Sequence, residues 1–199
     1  MSTIEAIKLE IKGQEQNTYA IHYSCSGFYN GGVIAPTICA VVLTNLNNGE
    51  IHTFALHNYI LKGKCLIEAE KELLNDFTKF LNGLDNPILI HWKMDEAEFG
   101  FKALTARCEN FGIYNLSFTK IKTIDLNSYI YVPIVFALKV SNCSCAYLLK
   151  GKEEAIYFDK RNYNAVMLST QAKSYGMVKL LKLALNGKFD LKILENLEY

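Results

Sequence analysis

The sequence predicts an α/β domain built on a mixed five-stranded sheet, an antiparallel meander followed by parallel strands, with helices on its faces. Three observations carry this. Two β-rich runs flank Asn47-Asn48-Gly49, a short wholly apolar run lies between two stretches of helical period, and a long amphipathic stretch comes near the end of the chain. With 199 residues, 50% hydrophobic and 21% charged, and only three prolines, the composition is that of a globular chain. One domain is expected over residues 1–199, with 189–199 as a tail that docks on it or meets a partner.

Residues Ile4 to Ile11 alternate apolar and charged as a half-buried strand does, and Tyr19 to Cys25 is a second β-rich run ended by Ser26-Gly27. Thr37 to Leu43 and Ile51 to Leu56 form strands around the Asn-Gly turn, a signal for positive φ in a tight hairpin. From Leu66 the period becomes helical, with Ala69, Leu73, Phe77, Phe80 and Leu84 along one stripe and Gly83 near its end. Pro87 to Trp92 reads as a buried central strand, and Ala97, Phe101, Leu104, Cys108 and Phe111 mark the next helix before Gly112. Ile121 to Leu126 supplies a further strand, whereas 127–150 is mixed and carries no clear period. A final helix runs from Tyr163 to Leu185, with Val166, Thr170, Met177, Leu181 and Leu185 inward.

A net charge of +1 gives no global field that would select nucleic acid or an anionic membrane, so such contact would need a local patch. Lys120 and Lys122, together with Lys173, Lys179 and Lys182 on the last helix, are the basic residues available for nucleic acid; the plainer expectation is that they solvate a helix face. No stretch approaches the roughly 20 apolar residues of a bilayer span, so no membrane partner and a cytoplasmic location are expected. The six cysteines are scattered without a Cys-x-x-Cys pair, and Cys143-Ser144-Cys145 lacks a matching ligand cluster, so no metal site is assigned to them.

The order of elements resembles the ribonuclease H-like fold of DEDD-type 3′-5′ exonucleases, in which three antiparallel strands precede a helix and then parallel strands. In that family the first strand carries an Asp and a Glu two residues apart, both holding divalent metal ions. Here His22 stands in for the Asp and Ser24 for the Glu, with Ser26-Gly27 as the turn. A neutral imidazole and a hydroxyl lack the two negative charges that a two-metal site uses. The second family motif, a His-Asn pair followed by a carboxylate, is matched by His91, with Trp92 in place of the Asn, Glu96 at the matching distance and Asp95 one residue earlier. The family's remaining Asp, on the last helix, has no counterpart, since no acidic residue lies between Tyr163 and Leu185. The same segment is similar to one in bacterial proteins where His91-Trp92, Gly100-Phe101 and Arg107 recur as a pattern.

Asp95, Glu96 and Glu98 also fit the first turn of a helix, where carboxylates accept orphan backbone N–H groups, and Asp95 with Glu98 has capping-box spacing. Asp125, at the end of its strand, would lie near the C-terminal edge of the sheet. The resemblance therefore implies a catalytically degenerate exonuclease-like domain that binds nucleic acid or a protein partner and needs no cofactor. Two alternatives stand beside it. One is an active Mg²⁺- or Mn²⁺-dependent nuclease with a rearranged site built from His22, His91, Asp95, Glu96 and Asp125. The other is an assembly module of a bacterial multi-subunit system.

Overall fold

The computed structural model describes residues 3–27, 35–96, 100–130, 132–143 and 147–190. Helix α1 (Thr3–Ile11) precedes three strands, β1 (Thr18–Cys25), β2 (Ile38–Asn45) and β3 (Ile51–Ala55). Helices α2 (Leu56–Ile60) and α3 (Leu66–Asn82), strand β4 (Ile88–His91), helix α4 (Phe101–Asn110) and strand β5 (Lys122–Asp125) follow. The chain continues with α5 (Asn127–Ile130), α6 (Ile134–Val140), α7 (Gly151–Asp159) and α8 (Tyr163–Leu185). The strands are ordered β3-β2-β1-β4-β5. β1, β2 and β3 are antiparallel neighbours, while β4 runs parallel to β1 and β5 parallel to β4. The predicted α/β class and mixed five-stranded sheet are what the chain forms.

The opening segment corrects the sequence reading, because Ile4 to Ile11 lies in a helix. An alternating strand would bury Ile7, Leu9 and Ile11 together. Instead Ile7 and Ile11 are buried while Leu9 is 61% exposed, so the burial follows a step of four residues and not of two. The Asn-Gly signal holds: the Asn45 side-chain oxygen accepts the N–H groups of Asn47 and Asn48, and Gly49 takes φ +76°. Residues 127–150, which showed no period, contain the short helices α5 and α6. Of the expected tail, residues 191–199 lie outside those described; Phe189 packs on the core.

β1 and β2 are buried along almost their full length, as strands covered on both faces must be. On one face Tyr19, Ile21, Tyr23, Val41 and Leu43 meet Leu73 and Phe77 of α3 and Leu104 of α4. On the other, Ala20, Ile88, Ile90 and Ile124 meet Ile7 and Ile11 of α1, Leu138 of α6 and Met177 and Leu181 of α8. Small residues let α8 lie close to its neighbours: a Cβ at Gly176 would fall 2.7 Å from a methyl of Leu138. Among the described residues no helix is long and apolar enough to cross a membrane.

The α3 face is tied together by Glu70 and Arg107. The Glu70 carboxylate is 1% exposed and accepts two N–H groups of Arg107 as well as the Ile38 N–H at 2.7 Å. A second arm of the same guanidinium donates to the carbonyl of Ala35 at 3.1 Å, which fixes the entry into β2. Removing one partner leaves a buried carboxylate without its counter-charge. Arg107→Ala is expected to lower the free energy of unfolding in urea by about 3–5 kcal/mol, with Arg107→Lys losing less; an unchanged urea midpoint for Arg107→Ala would refute this role.

Candidate functional site

Side chains alternate along β1, so His22 and Ser24 share the face of Ala20 and point toward α8. The Ser24 hydroxyl is 2.8 Å from that of Thr170, and one turn further along α8 the Ser174 hydroxyl donates to the Ala20 carbonyl at 2.8 Å. Between these contacts lies Lys173, 3% exposed, whose ammonium pairs with the Glu154 carboxylate of α7 at 2.7 Å. Ser169 donates to the same carboxylate at 2.6 Å and accepts the Leu149 N–H. The result is a buried polar seam holding one carboxylate and one ammonium. Burial, and then the Lys173 charge, hold the pKa of His22 well below the ordinary value, so its imidazole is neutral.

Lys173 and Glu154 revise the sequence reading. Lys173 was expected on a basic surface but is a core residue. Its position gives the signal that could have found it: with Val166, Thr170 and Met177 it shares one stripe at steps of three and four, the inward stripe of α8. Glu154 was not singled out, because nothing in its local sequence separates it from its exposed neighbour Glu153.

The second group of candidates sits at the C-terminal ends of β4 and β5, where His91 and Asp125 are register partners on parallel strands. His91 is on the face opposite His22, since Ile90, which pairs with Ala20, shares the His22 face. Its Nδ1 accepts the Met94 N–H at 3.2 Å, placing the proton of the neutral ring on Nε2, and lies 3.6 Å from Asp125 Oδ1. Burial lowers the pKa of His91 and outweighs the opposing pull of Asp125 and Asp95. Asp125 Oδ1 in turn accepts the N–H groups of Lys93 and Asn127, so it locks the turn after β4 to the start of α5. Ligand atoms of His91, Asp95 and Asp125 all lie within 4.8 Å of one another, a spacing that can surround a divalent ion.

Glu96 stands apart from this group, exposed and 3.4 Å from Lys93. Asp95 and Glu96 do not cap a helix either, because α4 begins only at Phe101 with Gly100 before it; Ala97 and Glu98 lie outside the described residues. The remaining members of the local pattern have packing roles. Trp92 donates to the Val132 carbonyl at 3.0 Å, and Gly100 donates to the Tyr23 hydroxyl at 2.7 Å. A Cβ at Gly100 would lie 1.9 Å from the Met94 carbonyl oxygen, at φ +127°, so no other residue fits there. Arg107 serves the Glu70 pair.

The other candidate lysines are dispersed. Lys120 is exposed after α4, and Lys122 on the edge strand β5 reaches the Glu10 carbonyl at 3.0 Å. Lys179 lies over the Tyr175 ring, while Lys182 donates to the Asn47 carbonyl in the turn that opens the opposite edge strand, β3. They form no continuous stripe. A scan against protein-family models finds no match to this chain, and a search of curated proteins finds no relative.

The neutral imidazole in the seam has a consequence for stability. The unfolded chain takes up a proton on His22 near the ordinary value of 6.5, while the native state resists it, so the unfolded state binds more protons below that pH and stability falls as pH drops. The thermal midpoint is expected to decline between about pH 7.5 and about pH 5.5. His22→Asn should show a shallower decline in calorimetry; an identical decline in both proteins would remove His22 as its source.

Proposed function

We propose that this chain is a catalytically degenerate exonuclease-like domain, ribonuclease H-like in fold, that binds nucleic acid or a protein partner instead of cleaving. The observation that carries the reading is the Lys173–Glu154 ion pair beside His22 and Ser24. The antiparallel strands followed by parallel ones agree with the layout that the resemblance implies. In that layout two Mg²⁺ ions would sit among carboxylates from the first strand and the last helix. Here that volume offers an imidazole kept neutral, hydroxyls and one carboxylate already neutralised by an ammonium. A divalent cation would meet the Lys173 charge in a poorly screened interior, where like charges repel strongly.

With labelled single-stranded DNA and RNA and either Mg²⁺ or Mn²⁺, the expected outcome is no degradation above a no-enzyme control. Degradation that the double variant Glu154→Gln/Lys173→Met abolishes would overturn the reading. Fluorescence anisotropy with the same oligonucleotides at low salt separates the two kinds of partner: binding that weakens steeply with salt supports nucleic acid, and its absence leaves a protein partner.

A second reading, a metal-dependent nuclease with a rearranged site, is favoured by the convergence of His91, Asp95 and Asp125. His22 and Glu96 drop out of that site, the first by facing the other side of the sheet and the second by pairing with Lys93 in solvent. The Met94 N–H on His91 Nδ1 argues against it, because a metal ion bound at Nδ1, the nitrogen facing Asp125, would have to displace that donor. Calorimetric titration with Mn²⁺ decides. One-to-one uptake lost in both Asp95→Asn and Asp125→Asn would support the nuclease reading, and no heat of binding would retire it.

A further inference from the structure

A cavity of about 460 Å³ opens beside the buried ion pair, between α6 and the first turn of α7, within the size range of small-molecule sites. Its apolar wall comes from Pro133, Val135 and Phe136, and its charged groups are Lys139, Lys150 and Lys173. Among the described residues no carboxylate lines it. Lys173 is matched by Glu154, but Lys139 and Lys150 form no ion pair among the described residues. Gly151 brings the start of α7 to the same wall, where the Glu153 carboxylate already accepts the Lys150 backbone N–H at 2.6 Å, so the charge left for a ligand is that of the Lys139 and Lys150 side chains. An apolar enclosure with two lysine ammonium groups at its mouth fits a ligand that has both an apolar body and an anionic group.

We propose that this cavity binds a small amphiphilic anion, an aromatic or aliphatic body carrying one carboxylate, sulfonate or phosphate. The apolar wall takes the body, and Lys139 and Lys150 take the charge. The site does not depend on whether the chain cleaves nucleic acid, since the two lysines that take the charge, Lys139 and Lys150, lie outside the seam.

The test uses the full chain and two fluorescent probes of the same shape, the anionic 8-anilinonaphthalene-1-sulfonate and the neutral N-phenyl-1-naphthylamine. The sulfonate is expected to bind saturably at one site and at least about tenfold more tightly than the neutral probe. The double variant Lys139→Glu/Lys150→Glu changes only exposed side chains, so it should keep the wild-type thermal midpoint and lose that preference. Val135→Trp, which fills the cavity, should abolish binding of both probes. Competition by decanoate points to an aliphatic carboxylate as the natural class, and competition by 1-naphthyl phosphate to an aromatic phosphate. Equal affinity for the two probes, unchanged sulfonate binding in the charge-reversed variant, or no saturable signal in the wild type would each overturn the proposal.

Discussion

A lysine ammonium held against the centre of the sheet constrains everything around it. Moving such a charge out of water costs several kcal/mol even after relaxation, and only a close counter-charge with further hydrogen bonds offsets that cost. Glu154 supplies the counter-charge, which obliges α7 to pack against β1, and Ser169 supplies a further bond to the same carboxylate. Burial, reinforced by that positive charge, keeps the neighbouring His22 neutral. Pairing Ser24 with Thr170 and Thr44 with Ser174 satisfies the remaining hydroxyls between α8 and the two central strands. Because a half-satisfied polar network is worse than an apolar core, these contacts hold together as a set.

The two faces of the sheet are stabilised by different physics, and this decides what could be read from the sequence. The α3 face is a hydrophobic layer in which Phe54, Phe77 and Phe80 meet edge-on or tilted, and its helix announces itself by a clean apolar stripe. The buried Glu70–Arg107 ion pair there is invisible in sequence, because the two residues lie on different helices and each sits among ordinary helix formers. The α8 face mixes hydroxyls, a lysine and small residues into a helical stripe. The ends of α8 were legible from period, but Lys173 reads as solvent-facing unless its place on the stripe outweighs its charge. Helix α1 failed for a related reason: in a segment of nine residues, steps of two and of three to four overlap, and tertiary burial of Ile7 and Ile11 settles which applies.

The turn after β4 shows how a motif-like cluster can be accounted for by packing. His91 accepts a backbone N–H, Asp125 accepts two, Trp92 donates to a carbonyl, and Gly100 leaves room for the Met94 carbonyl. These contacts tie the end of β4 to its neighbours through the backbone. The proximity of His91 and Asp125 was partly legible, since strand-ending residues on adjacent parallel strands must meet at one edge. The engagement of their lone pairs by the backbone was not, because it depends on turn conformation that no spacing rule supplies.

On the proposed reading, the loss of metal-holding charge in the seam is not a single change. A pair of divalent ions carries four positive charges and needs several carboxylates around it, whereas the seam beside β1 nets to zero charge with one ammonium and one carboxylate. Replacing His22 and Ser24 by carboxylates while Lys173 remained would place new charges beside a cation whose partner is already assigned. Removing Lys173 alone would strand Glu154 in a buried site. On that reading, single substitutions between a metal-holding seam and this one leave an uncompensated buried charge, so the ion pair disfavours the step back. Lys173 of the same pair also lines the cavity, where Glu154 neutralises it, so the positive charge at the cavity mouth comes from Lys139 and Lys150.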